Sequence, residues 1–239
     1  MTQFAHAVSC GTQRGILRAI LHAIVMGGLC LSATLACVNR SSNTDVVSEL
    51  LPALTLTTNQ SVLIIGDSLT DFSSGFGLQS RLGPGYTVAF RGIINTDFNF
   101  WIGRLDEAFA QATTGPPAYI LVPLGTNDGF TLAPPQFLER VATFHAELRK
   151  RSFARVYYFT MPGTLIGTLA PAIAANNAAL RPEHVARYAG DNSVLVDLET
   201  VFQNASPVPA LYDAGDPLHP TQNGYDLMAI EMERAVRQQ

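Results

Sequence analysis

The chain has 239 residues, enough for one well-buried domain and short of requiring two. Its 47% hydrophobic and 14% charged content is that of a globular protein and excludes a disordered one. A formal net charge of −4 argues against a nucleic-acid partner, which would need a basic face to neutralise phosphates.

In chain order, the first element is an address. Arg14 and Arg18 precede an apolar run, Ala19 to Ala36, that ends in small residues. A positive flank, an apolar stretch and a small-residue end form the pattern of an export signal over residues 1–37. A retained membrane anchor is the rival reading, because the run is about long enough to span a bilayer; His22, Gly27 and Gly28 weaken that alternative. Leu35-Ala36-Cys37 is similar to the end of a bacterial lipoprotein signal, which makes Cys37 a lipidation candidate, although Thr34 departs from that pattern. Ordinary cleavage after Ala36 would leave the same N-terminus without lipid. Residues 38–60, polar around Asn39 to Thr44, read as a tether into a domain over 61–239. The expected location is therefore periplasmic, attached to the cell envelope or secreted, with membrane attachment through the N-terminus only. Cys10, Cys30 and Cys37 are the only cysteines, so no disulfide staples the later chain and no cysteine-based metal site exists in it.

From Ser61 onward, short apolar runs alternate with helical patterns. Strands are expected at Val62–Ile65, Tyr86–Phe90, Tyr119–Leu124, Val156–Phe159 and Val194–Asp197, each nearly continuous in apolar residues, as strands covered on both faces are. Between them, Phe137, Val141, Phe144 and Leu148 make one helical stripe within 135–151. The stretches 100–112, 172–188 and 224–237 read the same way. Alternation of this kind implies a parallel sheet between helical layers, with sites beyond the carboxyl ends of the strands.

The chemistry-bearing residues follow those strand ends or lie near the C-terminal helix. Gly66-Asp67-Ser68-Leu69-Thr70 comes directly after the first strand, where a serine at a helix start can present its hydroxyl beside orphan N–H groups; taken alone, an N-cap serine is the simpler reading. Gly125-Thr126-Asn127-Asp128 follows the third strand, and an amide there could donate to an oxyanion; alone it is an ordinary turn. Asp216-Pro217-Leu218-His219-Pro220 puts a carboxylate and an imidazole three residues apart on a stretch stiffened by two prolines, suiting a base whose tautomer a carboxylate fixes. His145 and His184 fall on expected helices, where solvated faces are anticipated. Asp67 and Asp128 suit local turn and helix-start roles. Phe98-Asn-Phe-Trp101 suits a core-packed helix start better than an acyl pocket. Gly75-Phe76-Gly77 lacks the third glycine of a dinucleotide fingerprint, and Thr70 takes the last glycine position of a Gly-x-Ser-x-Gly elbow.

Together the three segments resemble the SGNH, or GDSL-type, hydrolase family: Gly66-Asp-Ser-Leu, Gly125-Thr-Asn-Asp and Asp216-Pro-Leu-His match its blocks in family order. The resemblance implies a three-layer α/β/α sandwich of flavodoxin-like type with a parallel central sheet, and acyl transfer without metal or cofactor. It implies that Ser68 attacks an ester carbonyl, His219 accepts its proton and Asp216 orients the imidazole. Asn127 and the Ser68 backbone N–H would donate to the oxyanion. A third donor usually comes from a glycine after the second strand; here Phe90-Arg-Gly-Ile-Ile-Asn-Thr-Asp97 puts Asn95 at that position and Gly92 at the preceding glycine. Asn tolerates left-handed backbone angles and keeps its N–H, and loss of one such donor costs about 3–4 kcal/mol. A monomeric hydrolase of small carboxylic esters is expected. A carbohydrate O-acetylesterase and a catalytically weak, envelope-anchored carbohydrate-binding protein of the same fold are the alternatives.

Overall fold

The computed structural model describes residues 59–205, 208–213 and 215–238. The export segment 1–37, Cys37 and all but the last two residues of the 38–60 tether lie outside the described residues.

Five strands, β1 (Gln60–Gly66), β2 (Tyr86–Gly92), β3 (Tyr119–Val122), β4 (Arg155–Phe159) and β5 (Ser193–Val196), form a parallel sheet in the order β2-β1-β3-β4-β5. Successive side chains point to opposite faces of a strand, and both faces here are covered. Leu63 and Ile65, Ile120 and Val122, Val156 and Tyr158 pack into one core cluster; Val62 and Ile64, Tyr119 and Leu121, Tyr157 and Phe159 pack into the other. That is why these strands are continuous apolar runs.

The first cluster is roofed by α3 (Phe98–Ile102), α4 (Leu105–Phe109), α6 (Pro134–Arg149) and α7 (Ala170–Arg187). The second is roofed by α1 (Ser68–Phe72), α2 (Leu78–Leu82), α8 (Leu198–Asn204) and α9 (Gln222–Arg237). The result is the expected three-layer sandwich. Phe137, Val141, Phe144 and Leu148 of α6 are fully buried, and each such side chain contributes roughly 1.5–3 kcal/mol by leaving water.

Three expectations needed correction. The stretch 100–112 is two short helices, broken at Gly103 and Arg104. Glycine is a weak helix former, and the preceding Trp101 is held in place by its indole N–H on the Gly66 carbonyl, 3.2 Å away. Asp216–Pro220, the stretch stiffened by two prolines and absent from the expected strands, is a short strand, β7, paired antiparallel with β6 (Tyr212–Asp213). His145 and His184 are buried instead of solvated. His145 lies four residues after Val141, on the inward face of α6. Its ring spans the Tyr158 hydroxyl at 3.0 Å and the Asp191 carboxylate at 2.8 Å.

The strand order places a reversal beside β1. The chain leaves β1 for the β2 edge, then returns to β3 on the other side of β1. Connections that leave neighbouring strands in opposite directions open a crevice at their carboxyl ends. The segments after β1 and β3 are the ones that carry Ser68 and Asn127.

Candidate active site

Ser68 is the first residue of α1, immediately past β1. Asp67 caps that helix, its Oδ1 accepting the Leu69 N–H at 2.9 Å. As the first helical residue, Ser68 has a backbone N–H among those with no acceptor within the helix. Gly92, paired with Gly66 across the β1–β2 ladder, lets the two segments close. A Cβ at Gly92 would come within 2.4 Å of the Asp71 backbone nitrogen, so any side chain there would push α1 away from the sheet.

His219 sits on β7 and reaches Ser68. Its Nε2 is 3.0 Å from Ser68 Oγ, and its Nδ1 is 2.8 Å from Asp216 Oδ2. Asp216 Oδ1 also accepts the backbone N–H groups of His219 at 3.0 Å and Leu218 at 3.2 Å. The His219 backbone N–H, followed by the imidazole contact, holds the Asp216 carboxyl below its ordinary value of 3.8 and therefore ionised. The Phe72 ring meets the imidazole edge-on at 4.8 Å. Phe72 lies four residues after Ser68, hence on the same helical face; that spacing was the signal available in the sequence.

Asn127 belongs to α5 (Thr126–Gly129), whose entry at Gly125 has φ +125°. Only glycine adopts that backbone readily, and a Cβ there would also meet the Met161 sulfur at 3.2 Å. One Nδ2 hydrogen of Asn127 goes to the Thr96 carbonyl at 2.8 Å. A side-chain amide has two such hydrogens, so this bond orients the second. Thr96 in turn closes a turn, its N–H and hydroxyl both donating to the Ile93 carbonyl at 3.4 and 2.8 Å. Asn95 occupies the third position of that turn with φ +62° and is exposed. The left-handed geometry expected for the replaced glycine is therefore present at Asn95. Gly92 is instead buried in β2 against α1.

Asp67 and Asp128 do more than cap. Both are fully buried. Burial pushes the Asp67 carboxyl up to about 7, with the Leu69 N–H opposing and the Asp128 charge adding to the rise. Burial likewise raises Asp128 to about 6, against the Phe98 N–H and Arg140 and with the help of Asp97. A carboxyl raised on folding keeps a proton that the unfolded chain has released. Its contribution to stability is thus present at acidic pH and lost as pH climbs from about 4 to about 7. Burial depresses His145 and His184, which acts in the opposite sense below about 6.5, so the comparison must be made between variants. Relative to wild type, the Tm of Asp67→Asn is expected to rise as pH is raised from 5 to 8, because only wild type must bury a carboxyl that is losing its proton. The rise should reach the equivalent of a few kcal/mol, since one pKa unit is worth about 1.4 kcal/mol. A difference independent of pH in thermal melts would refute the buried-acid assignment.

Residues 64–227 match the model of the GDSL-like Lipase/Acylhydrolase family. The chain belongs to that family. No curated protein matches the sequence. Among solved structures, the lipase/acylhydrolase from Enterococcus faecalis is similar over 74% of this chain and 95% of its own, at 16% identity and a TM-score of 0.62. An acetyl xylan esterase, AlAXEase, aligns over 74% of this chain and 99% of its own, at 20% identity and 0.60. A catalytic mutant of Axe2, an acetylxylan esterase from Geobacillus stearothermophilus, aligns over 75% and 95%, at 15% and 0.58. These likenesses establish the GDSL hydrolase fold, and the family makes this chain a hydrolase acting on esters.

Proposed function

We propose that the GDSL hydrolase is a serine esterase that hydrolyses small carboxylic esters through Ser68, His219 and Asp216. The observation that carries this reading is the unbroken chain of contacts from Ser68 Oγ to His219 Nε2 and from His219 Nδ1 to Asp216, at 3.0 and 2.8 Å. A hydroxyl is a poor nucleophile until a base takes its proton, and an imidazole serves when a carboxylate fixes its tautomer.

Ser68 Oγ attacks the carbonyl carbon while its proton passes to His219 Nε2. Negative charge gathers on the carbonyl oxygen and is held by the Ser68 and Asn95 backbone N–H groups and the second Nδ2 hydrogen of Asn127. The tetrahedral adduct collapses, and the alcohol leaves with the proton from His219. Water then gives a proton to His219 as it attacks the acyl-serine; the acid departs and Ser68 regains its hydrogen. In this reading each charge that develops meets a donor of the chain's own, which is where such sites gain most of their rate.

Exposed apolar side chains flank the segments that carry these groups: Phe72 on α1, Ile94 beside Asn95, Phe130 after α5, and Leu165, whose N–H is bonded to the Pro217 carbonyl at 2.8 Å. Exposed apolar groups flanking a site favour an apolar ligand, which supports alkyl acyl groups over a carbohydrate. The acetyl xylan esterase neighbours favour a second reading, removal of acetyl groups from a polysaccharide. A panel of p-nitrophenyl acetate, p-nitrophenyl butyrate and acetylated xylan separates the two. Greater kcat/KM for butyrate than for acetate, with little release from xylan, is expected; the reverse order would overturn the alkyl preference. The pattern of residues 1–37 supports export of the enzyme, with Cys37 as the point of attachment if it is lipidated.

A further inference from the structure

The two segments that carry Asn95 and Asn127 come from different strands, β2 and β3, and their register must be held for their donors to converge. Three contacts tie them. The first is the Asn127 amide on the Thr96 carbonyl at 2.8 Å. The second runs from the Phe98 N–H, at the start of α3, to Asp128 Oδ2 at 3.2 Å. The third is ionic and comes from outside both segments. Arg140 of α6 places Nη1 2.7 Å from Asp97 Oδ2 and 3.5 Å from Asp128 Oδ1. Asp97 meanwhile caps α3 through the Phe100 N–H at 2.8 Å.

Arg140 thus stands between one carboxylate from each donor segment. Asp128 is fully buried, and its Oδ1 has no hydrogen-bond partner among the described residues; Arg140 meets it as an ion pair. Asp97 and Asp128 repel: the Asp97 charge is among the influences that raise Asp128. Two carboxylates on facing segments push those segments apart unless a cation lies between them.

We propose that Arg140 is a positioning residue that keeps the oxyanion donors Asn95 and Asn127 in register by neutralising Asp97 against Asp128. This rests on the serine esterase reading given above. Arg140 pairs with Asp97 and Asp128 and not with Ser68 or His219 among the described residues, so its effect passes through the 93–98 turn and the 126–129 helix. Donors aimed at charge that develops only in the transition state act on kcat and leave ground-state binding alone.

The test compares wild type, Arg140→Leu, Arg140→Lys, Ser68→Ala and the double variant Asp97→Asn/Arg140→Leu on p-nitrophenyl butyrate, well below each Tm. Arg140→Leu is expected to lower kcat by about 10- to 100-fold, less than the full loss of a donor, with KM unchanged within about twofold. Affinity for phenylboronic acid, which forms a tetrahedral adduct on a reactive serine, should fall by the same factor as kcat. Arg140→Lys should recover part of the rate. Asp97→Asn should recover more, because it removes the repulsion while its side-chain oxygen still caps α3; a merely structural arginine would not be rescued in this way. Should Arg140→Leu fail to fold, Arg140→Gln carries the same comparison. Unchanged kcat, an effect confined to KM, or no rescue by Asp97→Asn, each alongside an inactive Ser68→Ala, overturns the role of Arg140 alone. A Ser68→Ala enzyme as active as wild type overturns the serine reading and this inference together.

Discussion

Ser68→Ala is expected to lower kcat on p-nitrophenyl butyrate by about 10⁴- to 10⁶-fold, leaving the fold and Tm close to wild type. Among the described residues the hydroxyl's one hydrogen bond is to His219 Nε2 at 3.0 Å, so its removal strands no buried charge. His219→Ala should cost a similar factor, and the double variant should be no worse than either single one, because nucleophile and base act as a unit. Asp216→Asn keeps the shape but lets the amide present a donor to Nδ1, which favours the wrong tautomer; a loss of about 10⁴-fold follows from that alone. Initial rates, with melting curves on the same samples, check all four variants. Additive losses in the double variant would mean that Ser68 and His219 do not share a step.

The second large effect belongs to Asn127. Asn127→Ala should reduce kcat by about 10²- to 10³-fold, or about 2.7–4 kcal/mol of transition-state stabilisation, with KM nearly unchanged. Two losses coincide in this variant. The amide no longer reaches the oxyanion, and the Thr96 carbonyl loses its 2.8 Å partner, so the turn that presents Asn95 loosens. Asn95→Gly should instead keep activity near wild type, because a main-chain N–H survives and φ +62° suits glycine better than asparagine. Steady-state kinetics on the pair separates the two segments: a greater kcat loss in Asn95→Gly than in Asn127→Ala would show that the Asn95 side chain, not its backbone, holds the charge.

The layers and strand positions were legible in the sequence because strands covered on both faces must be apolar throughout, and Val62–Ile65, Tyr119–Val122 and Val156–Phe159 are. The long helices were legible where one stripe, Phe137 to Leu148, carries the packing. The Gly103 break was missed because the apolar spacing continues through it, whereas the Trp101 indole is tied to the Gly66 carbonyl, a contact 35 residues away in sequence that no local pattern records. Ser68 and Asn127 stood out as short motifs at strand ends, and Asp216 and His219 as one just before the C-terminal helix. The residues around them did not. Thr96, Arg140 and the burial of His145 depend on which helix faces which loop, and a charged residue on an amphipathic helix looks solvated until its partners, here Asp97 and Asp128, are in place. The asparagine at position 95 was legible as a departure from glycine; its left-handed backbone required the structure.

In the proposed reaction one serine, Ser68, becomes acylated. The most direct measurement is to treat the enzyme with a fluorophosphonate, digest it, and locate the adduct by mass spectrometry. A single adduct on the peptide carrying Ser68 is expected, formed in wild type and absent in Ser68→Ala. No adduct, or one on another residue that persists in Ser68→Ala, would contradict the account.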